Sequence, residues 1–158
     1  MTTGEGAARL PRRVATGEDG VRMVSWGSAP QQVASARQWC LNGTRLGRGR
    51  AYPLLAVASE LHTNALRHTA SGSIFGRVRM RLARDGHRFR IAVTDEGTLG
   101  VFPRPVPEVG EGFGLRLVSG LAESWGWLGE PGFPITVWAV VDLGPRSVFA
   151  VPAQRKSG

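Results

Sequence analysis

Three short pieces of the chain hold residues that together could do chemistry. Residues 60 to 68 read ELHTNALRH, with Glu60 and Asn64 one helical turn apart among alanine and leucine. A carboxylate so placed can act as general base toward an attacking hydroxyl or water. An amide oxygen one turn later is a neutral ligand for a hard cation such as Mg2+, which takes few protein ligands and several phosphate and water oxygens. Asp95, with Gly97 two residues on, can accept a hydrogen bond from an exocyclic amine such as that of adenine, and the glycine lets the backbone turn closely. Gly112-x-Gly114-Leu115 opens a helical pattern; glycines there bare backbone N–H groups at the positive end of a helix dipole, which suits phosphate. Singly, each has an ordinary explanation: a solvated i,i+4 pair, a turn, a helix start. His68 fits a dipole-compatible residue near a helix end, and His62, elsewhere on the wheel, reads as surface. The joint order of the three pieces gives them weight.

The elements that must position them follow from periodicity. Residues 21 to 27 alternate as a first strand, and 29 to 43 place Val33, Ala36, Trp39 and Cys40 at helical spacing before Asn42-Gly43. TRLGRGR reads as a loop. Tyr52-Pro53 then opens a second helix with proline in its first turn, a stripe of Leu54, Ala58, Leu61 and Ala65, and an end at Ser71-Gly72. Two alternating runs flank Asp85-Gly86, a dipeptide suited to a tight hairpin turn. Ile74, Val78, Met80 and Leu82 share a side with Phe89, Ile91 and Val93, and Asp95 falls at the second strand's end. The glycine- and proline-rich stretch 96–111 reads as a lid. A helix with Leu115, Val118 and Leu121 inward follows, then strands at 124–129 and 135–143. This order predicts an α/β (α+β) two-layer sandwich, with helices covering one face of a mixed or antiparallel sheet.

The chain has 158 residues, one cysteine and a net charge of +8. That length suits one domain with a sizeable core. The pattern divides it into a disordered leader over 1–20, a domain over 21–144 and a tail over 145–158. The leader lacks the apolar segment of a secretory signal, and no run is long enough for a membrane span, so a cytoplasmic protein without a membrane partner is expected. Cys40 alone permits neither an intrachain disulfide nor a cysteine-based zinc site. Of the 20 basic residues 19 are arginine, and six of these lie between 77 and 90. Residues 77, 79, 81, 88 and 90 share one face of the hairpin, which reads as the solvated face of the sheet. No aromatic residue interleaves with them on that face to stack bases, which leaves an Arg-rich nucleic-acid-binding protein as a less favoured reading.

SELHTNALRHT, GLRLVSGLAESWG and ITVWAVVDL resemble the corresponding runs of the GHKL superfamily of ATP-binding domains. The nearest resemblance is to its small anti-sigma-factor serine/threonine kinase branch and related actinobacterial regulatory proteins. It extends from about residue 21 to 143 and implies the Bergerat ATP-binding fold. It further implies that Asn64 holds Mg2+ on the triphosphate, that Glu60 is the catalytic base, that Asp95 and Gly97 recognise adenine, and that Gly112, Gly114 and Leu115 lie against the phosphates. The cofactors implied are ATP and Mg2+; the partners implied are a sigma factor and an antagonist protein, with homodimers frequent in the branch. Three places depart from its pattern, one of them the lean DEGTLG at 95–100, where many relatives have proline-rich variants. Phe113 stands between the two glycines where the branch usually has arginine or another polar residue, and GFPI at 132–135 carries no lysine. The absent lysine bears on phosphoryl transfer more than on nucleotide binding, and with Phe113 it favours the alternative of a nucleotide-dependent protein-binding switch without phosphoryl transfer.

Overall fold

The computed structural model describes residues 20–68, 76–97, 114–130 and 132–145, together with the backbone of a strand at 12–14. Among these residues six strands form one antiparallel sheet in the order β1-β2-β3-β4-β6-β5: β1 Arg12–Val14, β2 Val21–Trp26, β3 Val78–Asp85, β4 Arg88–Thr94, β5 Ser124–Leu128 and β6 Thr136–Asp142. Three helices, α1 Gln32–Thr44, α2 Arg48–His68 and α3 Leu115–Leu121, lie between them in sequence.

Alternation decides which sheet face is covered. Val78, Met80 and Leu82 of β3 and Phe89, Ile91 and Val93 of β4 are all buried, as are Val24, Trp26, Ala139 and Val141 on the neighbouring strands. The helices meet this face with Ala36, Trp39 and Cys40 from α1, Leu54, Ala58, Leu61 and Ala65 from α2, and Leu115 and Val118 from α3. Burying each large side chain contributes roughly 1.5–3 kcal/mol against exposure, so this single cluster dominates the fold's stability. Burial also pushes the Cys40 thiol up to about 12, leaving it a small apolar core residue. The α+β two-layer architecture is the expected one, and the Arg side of the hairpin faces away from the helices. Among the described residues no helix is long and apolar enough to cross a membrane.

Three expectations need correction. The segment read as leader contributes β1, which pairs Arg12–Val14 with Met23–Ser25; three residues are too few to show a period. The second helix begins at Arg48, not at Tyr52, because the Ala51 N–H already reaches the Gly47 carbonyl at 3.0 Å. Pro53 therefore lies inside the helix; its missing N–H would have served the carbonyl of Gly49, which is exposed to solvent. The end expected at Ser71-Gly72 and the lid at 96–111, beyond Gly97, fall outside the described residues, as do Ile74 and the tail from 146.

The third correction is His62, which is wholly buried. Helix α2 packs against α1 on one side and α3 on the other as well as on the sheet. Its buried stripe is therefore wide enough to include Leu55 and His62 beside Leu61. The His62 ring sits 6.5 Å from that of Trp26, and among the described residues neither ring nitrogen, nor the indole nitrogen of Trp26, has a hydrogen-bond partner. Desolvation pushes the imidazole down to about 4.

A sign follows for pH. Between about pH 6.5 and 4 the unfolded chain protonates this histidine while the folded chain keeps it neutral, so stability falls as pH falls across that window, by about 3 kcal/mol in all. Urea denaturation of wild type and His62→Leu at pH 7 and pH 4.5 should show a markedly smaller acid loss in the variant. Equal losses would contradict the assignment.

Candidate functional site

The end of β4 forms the first corner of the site. Asp95, 4% exposed, follows the last residue of β4, and its backbone N–H donates to the Ile135 carbonyl at 3.1 Å. Its Oδ1 accepts from the Gly97 N–H at 2.7 Å and from the Ile135 N–H at 3.3 Å. One carboxylate thus closes the turn over Gly97 and fastens the end of β4 to the residue that leads into β6. Backbone donors of this kind compensate a buried charge, and a carboxylate has acceptor sites beyond two.

Gly97 has φ +71, a conformation that favours glycine, and space enforces the same choice. A Cβ there would lie 2.6 Å from the Phe133 carbonyl carbon and 2.8 Å from the carbonyl oxygens of Gly132 and Phe133. Those are backbone atoms, which cannot rotate aside. Next to this corner the hydroxyls of Thr94 and Thr136 are 2.7 Å apart, joining the same two strands.

The second corner joins α2 to the start of α3. Glu60 and Asn64 are half-buried, one turn apart on α2. Gly114, at φ +64, immediately precedes α3, and a Cβ there would collide with Glu60 Oε2 and lie 3.0 Å from its Cδ. The absence of a side chain at 114 is what lets the Glu60 carboxylate rest against this backbone. Leu115 is buried and anchors α3 in the core beside Val118, so it supports the corner from below. Gly112 and Phe113 lie outside the described residues, and of His68 only the backbone is described.

The donor set suits a nucleotide with a hard cation. Glu60, Asn64 and Asp95 offer oxygen only, the ligand type of Mg2+ and not of softer metals. Among the described residues no three His, Cys, Asp or Glu side chains cluster to hold a metal by themselves. An ion here would take most of its ligands from phosphate and water.

Sequence reasoning missed the turn at 132–135 as a structural partner of Asp95 and Gly97. It lies some forty residues downstream, and neither pattern nor spacing links two segments that far apart. The contacts make a contrast testable. Gly97→Ala should cost at least about 2 kcal/mol, from a left-handed φ penalty of about 1–2 kcal/mol and a backbone clash. Gly120→Ala, in α3 with nothing within 4 Å of the new methyl, should be neutral or stabilising by up to about 1 kcal/mol. Thermal or urea melts decide; equal effects would contradict the packing of the Asp95 corner.

A model of the histidine kinase-like ATPase domain matches residues 27–132, a span that takes in Glu60, Asn64, Asp95, Gly97 and Gly114 and ends in the turn that packs on Gly97. No curated protein matches the chain. Since the family match covers well over half of the 158 residues, the chain belongs to the histidine kinase-like ATPase domain family.

Proposed function

We propose that this ATP-binding domain works as a regulatory serine/threonine protein kinase that doubles as an anti-sigma factor. The observation that carries the proposal is the contact between Glu60 and Gly114, which joins two motif segments far apart in sequence at one place. In this reading Asp95 accepts a hydrogen bond from the adenine amine, and Gly97 keeps the backbone clear of the ring. Asn64 holds Mg2+ through its amide oxygen, while Gly112 and Gly114 offer backbone N–H groups to the phosphates. Bound ATP and Mg2+ supply the phosphoryl group and the charge neutralisation that transfer requires. Glu60, one turn before Asn64, accepts the proton of a serine hydroxyl on an antagonist protein. Modification of the antagonist then leaves this protein free to hold a sigma factor.

A second reading rests on the residues at 113 and 132–135. Phe113 stands between the glycines, and the turn that packs on Gly97 carries no lysine. Both features favour a nucleotide-dependent switch that grips its partner without phosphoryl transfer.

Calorimetric titration with ATP and Mg2+ tests the shared part. Wild type should bind. Asp95→Asn should weaken ATP by about 10- to 100-fold, the loss of a hydrogen bond to a charged group, and Asn64→Ala should weaken ATP mainly when Mg2+ is present. No binding by wild type would overturn the site. Incubation with γ-labelled ATP and candidate antagonists separates the two readings: label on a partner that disappears with Glu60→Ala supports the kinase, and nucleotide binding with no labelled partner supports the switch.

A further inference from the structure

The sheet face turned away from the helices has a composition of its own. Strand register sets out its rows across β3, β4 and β6. The lowest row, Asp85–Arg88–Asp142, sets two carboxylates against one arginine, and Arg88 is also held by Glu123 at 2.7 and 3.0 Å. The three rows above it carry arginine and no carboxylate: Ala83–Arg90–Val140, Arg81–Ala92–Trp138 and Arg79–Thr94–Thr136. Arg79 and Arg90 are exposed. Residues two apart on a strand are separated by about 7 Å, so the basic rows repeat on the scale of successive phosphates in an extended nucleic acid strand.

Trp138 stands in the middle of these rows. Its indole lies across Gly126 of β5, where a Cβ would come within 2.9 Å of the ring, and the Arg90 guanidinium is 4.8 Å from a ring centroid. The hairpin sequence contains no aromatic residue on this face; β6 supplies one from more than forty residues downstream. The premise that argued against nucleic acid therefore fails in the folded chain.

We propose that this face binds single-stranded nucleic acid, with Arg79 and Arg90 on its phosphates and Trp138 against a base. The charge distribution selects the occupant. Nucleic-acid interfaces are much more positively charged than protein interfaces, and these three rows carry an arginine each with no carboxylate among them. A second copy of the same face would oppose arginine with arginine. A duplex hides its bases in grooves that admit a helix or a projecting ribbon, and a flat sheet offers neither. Single strands present both partners at once, phosphates for guanidinium groups and base faces for an aromatic platform. The top row of the face adjoins the Asp95 corner at Thr94, but Arg79, Arg90 and Trp138 belong to neither the Glu60 nor the Asp95 corner, so the proposal does not depend on nucleotide binding there.

Fluorescence anisotropy with a labelled oligothymidine, over a range of salt, tests it. Saturable binding is expected at low salt, with log affinity falling against log salt by about 0.7 for each phosphate engaged. The double variant Arg79→Glu/Arg90→Glu should lose at least about tenfold, whereas Arg45→Glu/Arg48→Glu, with the same change of net charge in the helix layer, should stay within about twofold. Trp138→Ala should lose about 5- to 100-fold and Trp138→Tyr should recover most of it, since tyrosine stacks as well. Thermal melts of each variant confirm that the fold is kept. Absence of saturable binding, equal losses from the two arginine pairs, or an affinity for polyglutamate or duplex DNA matching that for the single strand would each overturn the proposal.

Discussion

A carboxylate enclosed by protein is costly unless hydrogen-bond donors meet it. Asp95 is met by backbone, and the identity of that backbone organises the region around it. By accepting from Gly97 and Ile135 through one oxygen, it fixes the turn after β4 and the approach to β6 in a single step. The Phe133 and Gly132 carbonyls then press against Gly97 so closely that no side chain fits. The loop that leaves β4 is thereby held against the loop that enters β6, at the strand end where the proposed adenine contact would form. A group tied down in this way is preorganised.

Helix α2 supplies the other half by being covered on several sides. Packed between α1 and α3 and on the sheet, it has a wide buried surface, and Glu60 and Asn64 lie where that surface gives way to solvent. The same enclosure draws His62 inside, beside Trp26, with no partner for its nitrogens among the described residues. Burying an unpaired imidazole costs stability, and nothing in the proposed chemistry uses it. The contact of Glu60 with Gly114 shows the complementary case, in which a missing side chain on one element makes room for a carboxylate on another.

The hairpin was legible because its signals are local: alternation over two short runs, Asp85-Gly86 between them, and apolar residues that all face one way. The motif residues were legible for a similar reason, since Glu60 and Asn64, or Asp95 and Gly97, are separated by only a few residues along one element. What could not be read depends on contacts between distant segments. The burial of His62 needs α1 and α3 on both sides of α2. The early start of α2 rests on the Gly47–Ala51 hydrogen bond, which an Arg- and Gly-rich run does not advertise. The partnership of Asp95 with Ile135, and the arrival of Trp138 among the arginines of β3 and β4, require the order of strands in the sheet, and alternation reports only which face a residue takes.

The central claim is that the Asp95 and Glu60 corners form one nucleotide site. The most direct measurement is a nuclear magnetic resonance titration of the labelled protein with ATP and Mg2+, following backbone amides. Perturbations concentrated at Gly97, Ile135 and Gly114, with the amides of Arg79 and Arg90 left nearly unchanged, are the predicted result. Shifts at only one of the two corners, or chiefly on the open face of the sheet, would contradict it.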